Sequence, residues 1–336
     1  MVGRWYGKGA QLLGLEGEVQ SKDFESLRQG LDPESGEFLR PRQSADRVGP
    51  DGTTQSYARS LYDFTISAPK SVSIMAILGG DGRLIEAHEK AVAATLQELE
   101  AHATARVRQA GLNEDRPTAN LAVAVYHHDA SRELDPQLHT HAVAANLTYD
   151  GTEGRWKALQ ASGIYKRRAY LTEVYRHALA HEVRALGYDI ENRRDSKGRD
   201  AGFEIRGVSD ELLAKYSQRS RQRDQAIQEF TKKAGRLPTD NEIAVLVRES
   251  RADKLIEIST AEVRKRQRDR LTAEQAQLLV ELRPSRHRSS MDGLESGAHS
   301  LQYAIDHIFE RVSVAPDFDV LAEALRHGRG QSITRN

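Results

Sequence analysis

The side chains with the clearest chemical potential are three histidines. His139 and His141 stand two residues apart in the apolar stretch Leu134 to Leu147, and His128 stands eleven residues earlier. Neutral imidazole is the commonest metal ligand, and three of them leave coordination positions open for water or substrate oxygens. An all-nitrogen set does not choose the metal: Mn²⁺, Zn²⁺, Ni²⁺ and Co²⁺ accept imidazole readily, whereas Mg²⁺ prefers oxygen. Such an ion would polarise a phosphoryl oxygen and orient an in-line displacement. Ligand histidines usually give their second N–H to a carboxylate, and Asp63 is the candidate for that role. The plain alternative is a pair of polar residues on a half-exposed strand.

Positioning these rings takes strands. Thr140, Ala142, Val143 and Leu147 suit a β-strand, on which residues i and i+2 share a face, so His139 and His141 point the same way. Leu121 to Tyr126 reads as another strand running up to His128, with turn residues Asp129, Ser131, Asp135 and Pro136 between the two. Antiparallel pairing would bring the three imidazoles together.

Composition narrows the classes. The 336 residues balance 49 basic against 49 acidic side chains, so a nucleic-acid partner must be recognised by local patches. Without cysteine there is no disulfide framework, thiolate zinc site or thiol nucleophile. Neither a leader-like apolar region nor a run of roughly 20 apolar residues is present, which predicts a cytoplasmic protein.

The remaining chain supplies scaffold and further candidates. Leu61 to Ile66 alternates as a strand and leads into Ser67-Ala-Pro-Lys-Ser71, where Ser67 at the cap and Pro69 just inside predict a helix start. Peptide N–H groups there, with Lys70 and Ser71, would form an anion site; the bland reading is a helix start and nothing more. A helix is predicted from Arg83 to Gln109 and another from Ile164 to Leu186. The latter carries His177 and His181 on one face, without a third ligand or the His-Glu-x-x-His spacing, so an ordinary helix face is the better reading. Tyr188–Ile190 and Phe203–Ile205 read as a hairpin. Between Lys215 and Arg270 fifteen basic residues face nine acidic ones, which suits a phosphate backbone or a solvated helix surface equally. Lys70, Arg132, Trp156, Lys157, Lys166 and Arg167 are the candidate DNA contacts, each with a solvated-charge or, for Trp156, a core-packing alternative.

Three stretches together, His128-Asp-Ala-Ser-Arg-Glu133, Asp135-Pro-Gln-Leu-His-Thr-His-Ala-Val143 and Asp63-Phe-Thr-Ile-Ser-Ala-Pro-Lys-Ser-Val72, resemble the MobF-type conjugative relaxases of the TrwC/TraI kind, in the HUH endonuclease group. The likeness is strongest from Trp5 to about Asn192. It implies an α+β fold with a central antiparallel sheet flanked by helices and a mostly helical C-terminal part. It further implies that His128, His139 and His141 bind a divalent ion (Mg, Mn, Zn or Ni), and that Asp63 contacts a ligand histidine and helps activate the nucleophile. The substrate implied is single-stranded DNA, nicked at a plasmid transfer origin through a phosphotyrosine bond, with other relaxosome proteins as partners.

In that group the nucleophilic tyrosine precedes the Trp-x-Gly-Lys-Gly element, here Trp5-Tyr-Gly-Lys-Gly9. The expectation is therefore a chain lacking that stretch and its first strand and deficient in nicking; Tyr6 is the nearest tyrosine but sits inside the element. Residues 1–270 are expected to form the relaxase domain, 271–298 a linker, and 299–336 the start of a truncated helicase-side region. The competing reading is a catalytically inert single-stranded DNA-binding module; a small-phosphoester hydrolase is a weaker third.

Overall fold

The computed structural model describes residues 2–40, 47–48, 54–55, 59–109, 111–195, 197–249, 258–285 and 297–330. It opens with β1 (Arg4–Tyr6), α1 (Lys8–Leu12) and α2 (Ser21–Gln29), followed by the two-residue strands β2 (Arg47–Val48) and β3 (Thr54–Gln55). Next come β4 (Leu61–Ser67), α3 (Lys70–Ile77), α4 (Arg83–Ala101) and the hairpin β5 (Thr104–Gln109) and β6 (Leu112–Pro117). The strands β7 (Val123–Ala130) and β8 (Pro136–Ala145) lead to a small hairpin, β9 (Thr148–Asp150) and β10 (Arg155–Lys157). Helices α5 (Ser162–Lys166) and α6 (Arg168–Ala185) precede the hairpin β11 (Ile190–Arg194) and β12 (Asp200–Ile205). The rest is helical: α7 (Asp210–Lys215), α8 (Gln218–Ala234), α9 (Asp240–Glu249), α10 (Thr260–Arg268), α11 (Ala273–Glu281), α12 (Gly297–Phe309) and α13 (Asp317–His327).

The central sheet is antiparallel throughout, in the order β1-β7-β8-β4. Its residues alternate between two faces. Val123, Val125, Leu138, Ala142 and Ala144, with Tyr62, Phe64 and Ile66, enter the main core beneath α3, α4 and α6. The opposite face is covered at one end by a smaller cluster of Ala10, Leu13, Leu15, Leu27, Ala122, Ala145 and Leu147, with Trp5 and Trp156 packed against it. This period-2 alternation is what allows one strand to face a dry core and a polar site at once. No helix among the described residues is long and apolar enough to cross a membrane.

The fold differs from the sequence reading in five places. The long helix ends at Ala101, and Thr104–Gln109 is a strand with Ala105 and Val107 buried between exposed Arg106 and Arg108. The predicted Ile164–Leu186 helix is two helices, α5 and α6. Pro69 occupies the cap position of α3, while Ser67 is still the last residue of β4. The linker expected over 271–298 begins with α11, capped by a reciprocal Thr272–Gln275 box and anchored in the main core by Leu279; its part from 286 to 296 lies outside the described residues. The closing helices also fold back: Ala322 of α13 is buried in the main core.

Candidate metal centre and nucleic-acid surface

His128 and His139 are direct cross-strand partners on β7 and β8. His141 follows on the same face of β8, since Thr140 between them points into the core side and is wholly buried. The imidazole centroids lie 5.0 Å apart for His128 and His139, and 5.2 Å apart for each of the other two pairs. Convergence is thus produced by register alone. A bulge between His128 and Ala130 then bends β7 into the connector that leads to β8.

Hydrogen bonds orient two of the three rings. Asp63, on the neighbouring β4, accepts from Nδ1 of His141 at 2.8 Å, and Thr65 Oγ1 lies 3.4 Å from the same nitrogen. The Gln137 carbonyl accepts from Nδ1 of His139 at 3.0 Å. With Nδ1 donating in both, Nε2 is left as the lone-pair nitrogen. Burial pushes the His128 and His139 imidazoles below the ordinary histidine range, and His141 beside them lowers both further. A neutral imidazole with Nδ1 donating, as His139 has to the Gln137 carbonyl, is the form that binds metal, so the chemistry of the donor set fits a divalent ion. Among the described residues no group of three or more His, Cys, Asp or Glu side chains has metal-holding geometry as it stands, so the fit is one of donor chemistry.

The other candidates separate into those near this face and those elsewhere. Tyr6 pairs with Val123, five residues along β7 from His128 and roughly 16 Å away at strand rise. It packs against the main core on the opposite face, where burial and Glu100 raise its hydroxyl to about 12. Lys70 is largely enclosed, donates to the Pro136 carbonyl at 2.9 Å, and is pushed down to about 8 by burial. The anion site expected beside it is taken by this chain's own carboxylate: Ser71 N–H donates to Glu204 at 2.7 Å, and the Ser71 hydroxyl accepts from Ile205 N–H. Lys157 is held by Asp150 and Glu153, Arg167 lies over the Phe318 ring, and Trp156 packs edge-on to Tyr149. Arg132 and Lys166 remain exposed. On α6, His177 is buried and His181 half exposed, so the two do not share an environment.

Several residues near the centre have contacts that their sequence positions do not announce. Tyr126, the partner of His141 across the ladder, shares the histidine face and packs edge-on against Phe24. Arg219, at the start of α8, lies close enough to add positive potential at His139. Arg264 of α10 pairs with Asp129 at 2.5 Å. Asp135 is buried and receives Arg270 at 2.6 Å and both the backbone and side chain of Gln218 at 2.8 Å. Gln267 adds a bond to the Leu134 carbonyl at 2.8 Å. The connector that joins the histidine strands is therefore held by the C-terminal helices, 83 to 135 residues away. Only charge runs hinted at this, because sequence spacing carries no information about such long-range pairs.

An antiparallel sheet with helices on one face and three converging imidazoles on the other is a relaxase-like palm. Comparison with known proteins specifies it. A family model described as TrwC relaxase matches residues 1–274, and the chain belongs to that family. It is 39% identical over 228 residues to the multifunctional conjugation protein TraI of Escherichia coli K12, a match covering 65% of this chain and 12% of that protein. The chain thus spans a small part of its curated relatives. Conjugative relaxase TrwC in complex with oriT DNA, in a metal-free structure, superposes with a TM-score of 0.67 at 35% identity, covering 80% of this chain and 89% of that one. A copper-bound structure of the same complex gives 0.66 at 34% identity, covering 82% and 88%.

Proposed function

We propose that this chain is the metal-binding and strand-binding palm of a conjugative relaxase, holding a scissile phosphodiester of single-stranded transfer-origin DNA against His128, His139 and His141. The observation that carries this reading is the meeting of those three rings on one sheet face, with the Asp63 carboxylate on His141. The TrwC structures with oriT DNA, with and without metal, lend it support by likeness. A divalent ion, when bound, supplies Lewis acidity at a phosphoryl oxygen. Burial keeps the His128 and His139 rings neutral and Asp63 orients the third. Arg219, close enough to act on His139, and exposed Arg132 are the phosphate contacts of this reading, with the exposed α8 adding basic surface. Residues 1–270 are the unit proposed for this work.

The covalent step is the weaker part of the activity in this reading. Tyr6 faces away from the histidines, and Tyr126 is packed on a rigid strand between Gly3 and Phe24. The chain is accordingly proposed to hold DNA while forming little or no tyrosyl adduct. That geometry is also what favours the second reading, an inert single-strand binder. A labelled oligonucleotide distinguishes the two: chelation and His139→Ala are expected to weaken binding of the nick-site stretch. Unchanged affinity in both would contradict the metal-dependent reading and leave the plain binder. A gel-stable tyrosyl–DNA adduct would refute the proposed deficiency in nicking.

A further inference from the structure

Behind the histidine face, a line of buried side chains touches the same two strands from the core side. Thr140, between His139 and His141, has its hydroxyl 2.7 Å from His127 Nδ1 and 2.9 Å from His88 Nε2. His88, on α4, in turn has Nδ1 2.6 Å from the Tyr175 hydroxyl on α6. Thr140, His88 and Tyr175 are 0%, 2% and 4% exposed, so no water substitutes for these bonds. Proton inventory gives the line a direction. Tyr175 is deeply buried and keeps its proton, and the partner its hydroxyl has among the described residues is His88. Tyr175 therefore donates to His88 Nδ1, His88 Nε2–H donates to Thr140, and Thr140 donates to His127 Nδ1. Burial, with His127 and His139 nearby, drives the His88 imidazole down to about 3, which keeps it neutral as this order requires.

We infer that Thr140, His88 and Tyr175 are positioning residues for the metal centre, locking β8 and His127 to α4 and α6 so that the three ligand rings stay in register. The inference rests on the reading that those rings hold a divalent ion. The arrangement is specific to orientation: Thr140 is the residue that must point inward for both its neighbours to point outward, and its hydroxyl joins the two strands that carry the ligands. A methyl in its place would fill the space and leave the buried His88 and the half-buried His127 imidazoles without their bond.

Mn²⁺ titration of the full chain by calorimetry tests this, alongside thermal unfolding of the metal-free protein. Thr140→Val is expected to bind about tenfold more weakly, the scale usual for outer groups that orient a ligand histidine. Thr140→Ser, which restores the hydroxyl, should return to within about threefold of the parent. Tyr175→Phe should fall between them and shift the ¹⁵N tautomer signature of His88; this variant carries the test if Thr140→Val does not fold. Parent-like Mn²⁺ affinity in a folded Thr140→Val or Tyr175→Phe, even with a lowered melting temperature, would overturn the inference, since the line would then be structural only. A parent chain that binds Mn²⁺ no better than His139→Ala would instead overturn the metal reading itself.

Discussion

At the scale of single residues, Asp63 and Lys70 show how differently two polar groups flanking one strand turn are used. Asp63 lies at the surface side of β4, its side chain 48% exposed, and meets His141 at 2.8 Å. Replacing it with asparagine keeps an acceptor but removes the charge that favours a basic, oriented imidazole. Asp63→Asn is expected to weaken Mn²⁺ binding by about tenfold; unchanged affinity would show that the carboxylate is a bystander. Lys70, by contrast, is an internal strut on the Pro136 carbonyl. Its ammonium is about 8 in the fold and near the ordinary 10.4 in the unfolded chain, so the unfolded chain holds the extra proton between those values. Stability carried by this group therefore rises with pH through that window. Lys70→Met should flatten the rise in urea midpoint between pH 8 and 10 relative to the parent, and parallel pH profiles would contradict the assignment. A lysine beside a Ser-Ala-Pro helix start reads as an anion binder in sequence; Glu204, which occupies that helix end, comes from a strand more than 130 residues on and could not be foreseen.

At the scale of elements, the histidine strands were legible and their restraints were not. Alternation through Leu138-His-Thr-His-Ala-Val143 determines which residues share a face, and the spacing to His128 sets the hairpin. The Arg83 to Gln109 stretch was misread because its helical period stops at Leu99 and a two-residue period begins at Ala105, a change too short to see without the β6 partner. Likewise nothing local in Ser131 to Asp135 announces that the connector is clamped by Gln218, Gln267 and Arg270. Arg270 also lies 4.4 Å over the Tyr216 ring. Arg270→Met would leave a buried carboxylate without its cation, and a loss of about 3 kcal/mol is expected. Chemical denaturation measures it; a change within experimental error would mean that Gln218 alone holds Asp135.

At the scale of the molecule, α11 and α13 pack into the main core of the palm through Leu279 and Ala322. Arg329, its side chain fully enclosed, donates to Glu173 at 2.6 Å, Asp200 at 2.7 Å and the Gly202 carbonyl at 3.0 Å, tying the end of α13 to α6 and the β11–β12 hairpin. Arg329→Met is expected to raise amide exchange along α13 while leaving β7 and β8 protected. Uniform exchange changes would show that the closing helices and the sheet unfold as one cooperative unit. The family was readable because the histidine and Asp63 motifs are short and local; in the tail, periodicity marks helices over His299 to Val312 and around Phe318 to His327, matching α12 and α13, but carries nothing about what they pack against. His128, His139 and His141 are proposed to hold one divalent ion together. Pulsed EPR of Mn²⁺ bound to ¹⁵N-histidine-labelled chain measures that directly. Couplings from three imidazole nitrogens are predicted, reduced to two in His139→Ala; a spectrum without histidine couplings, or one unaltered by His139→Ala, would contradict it.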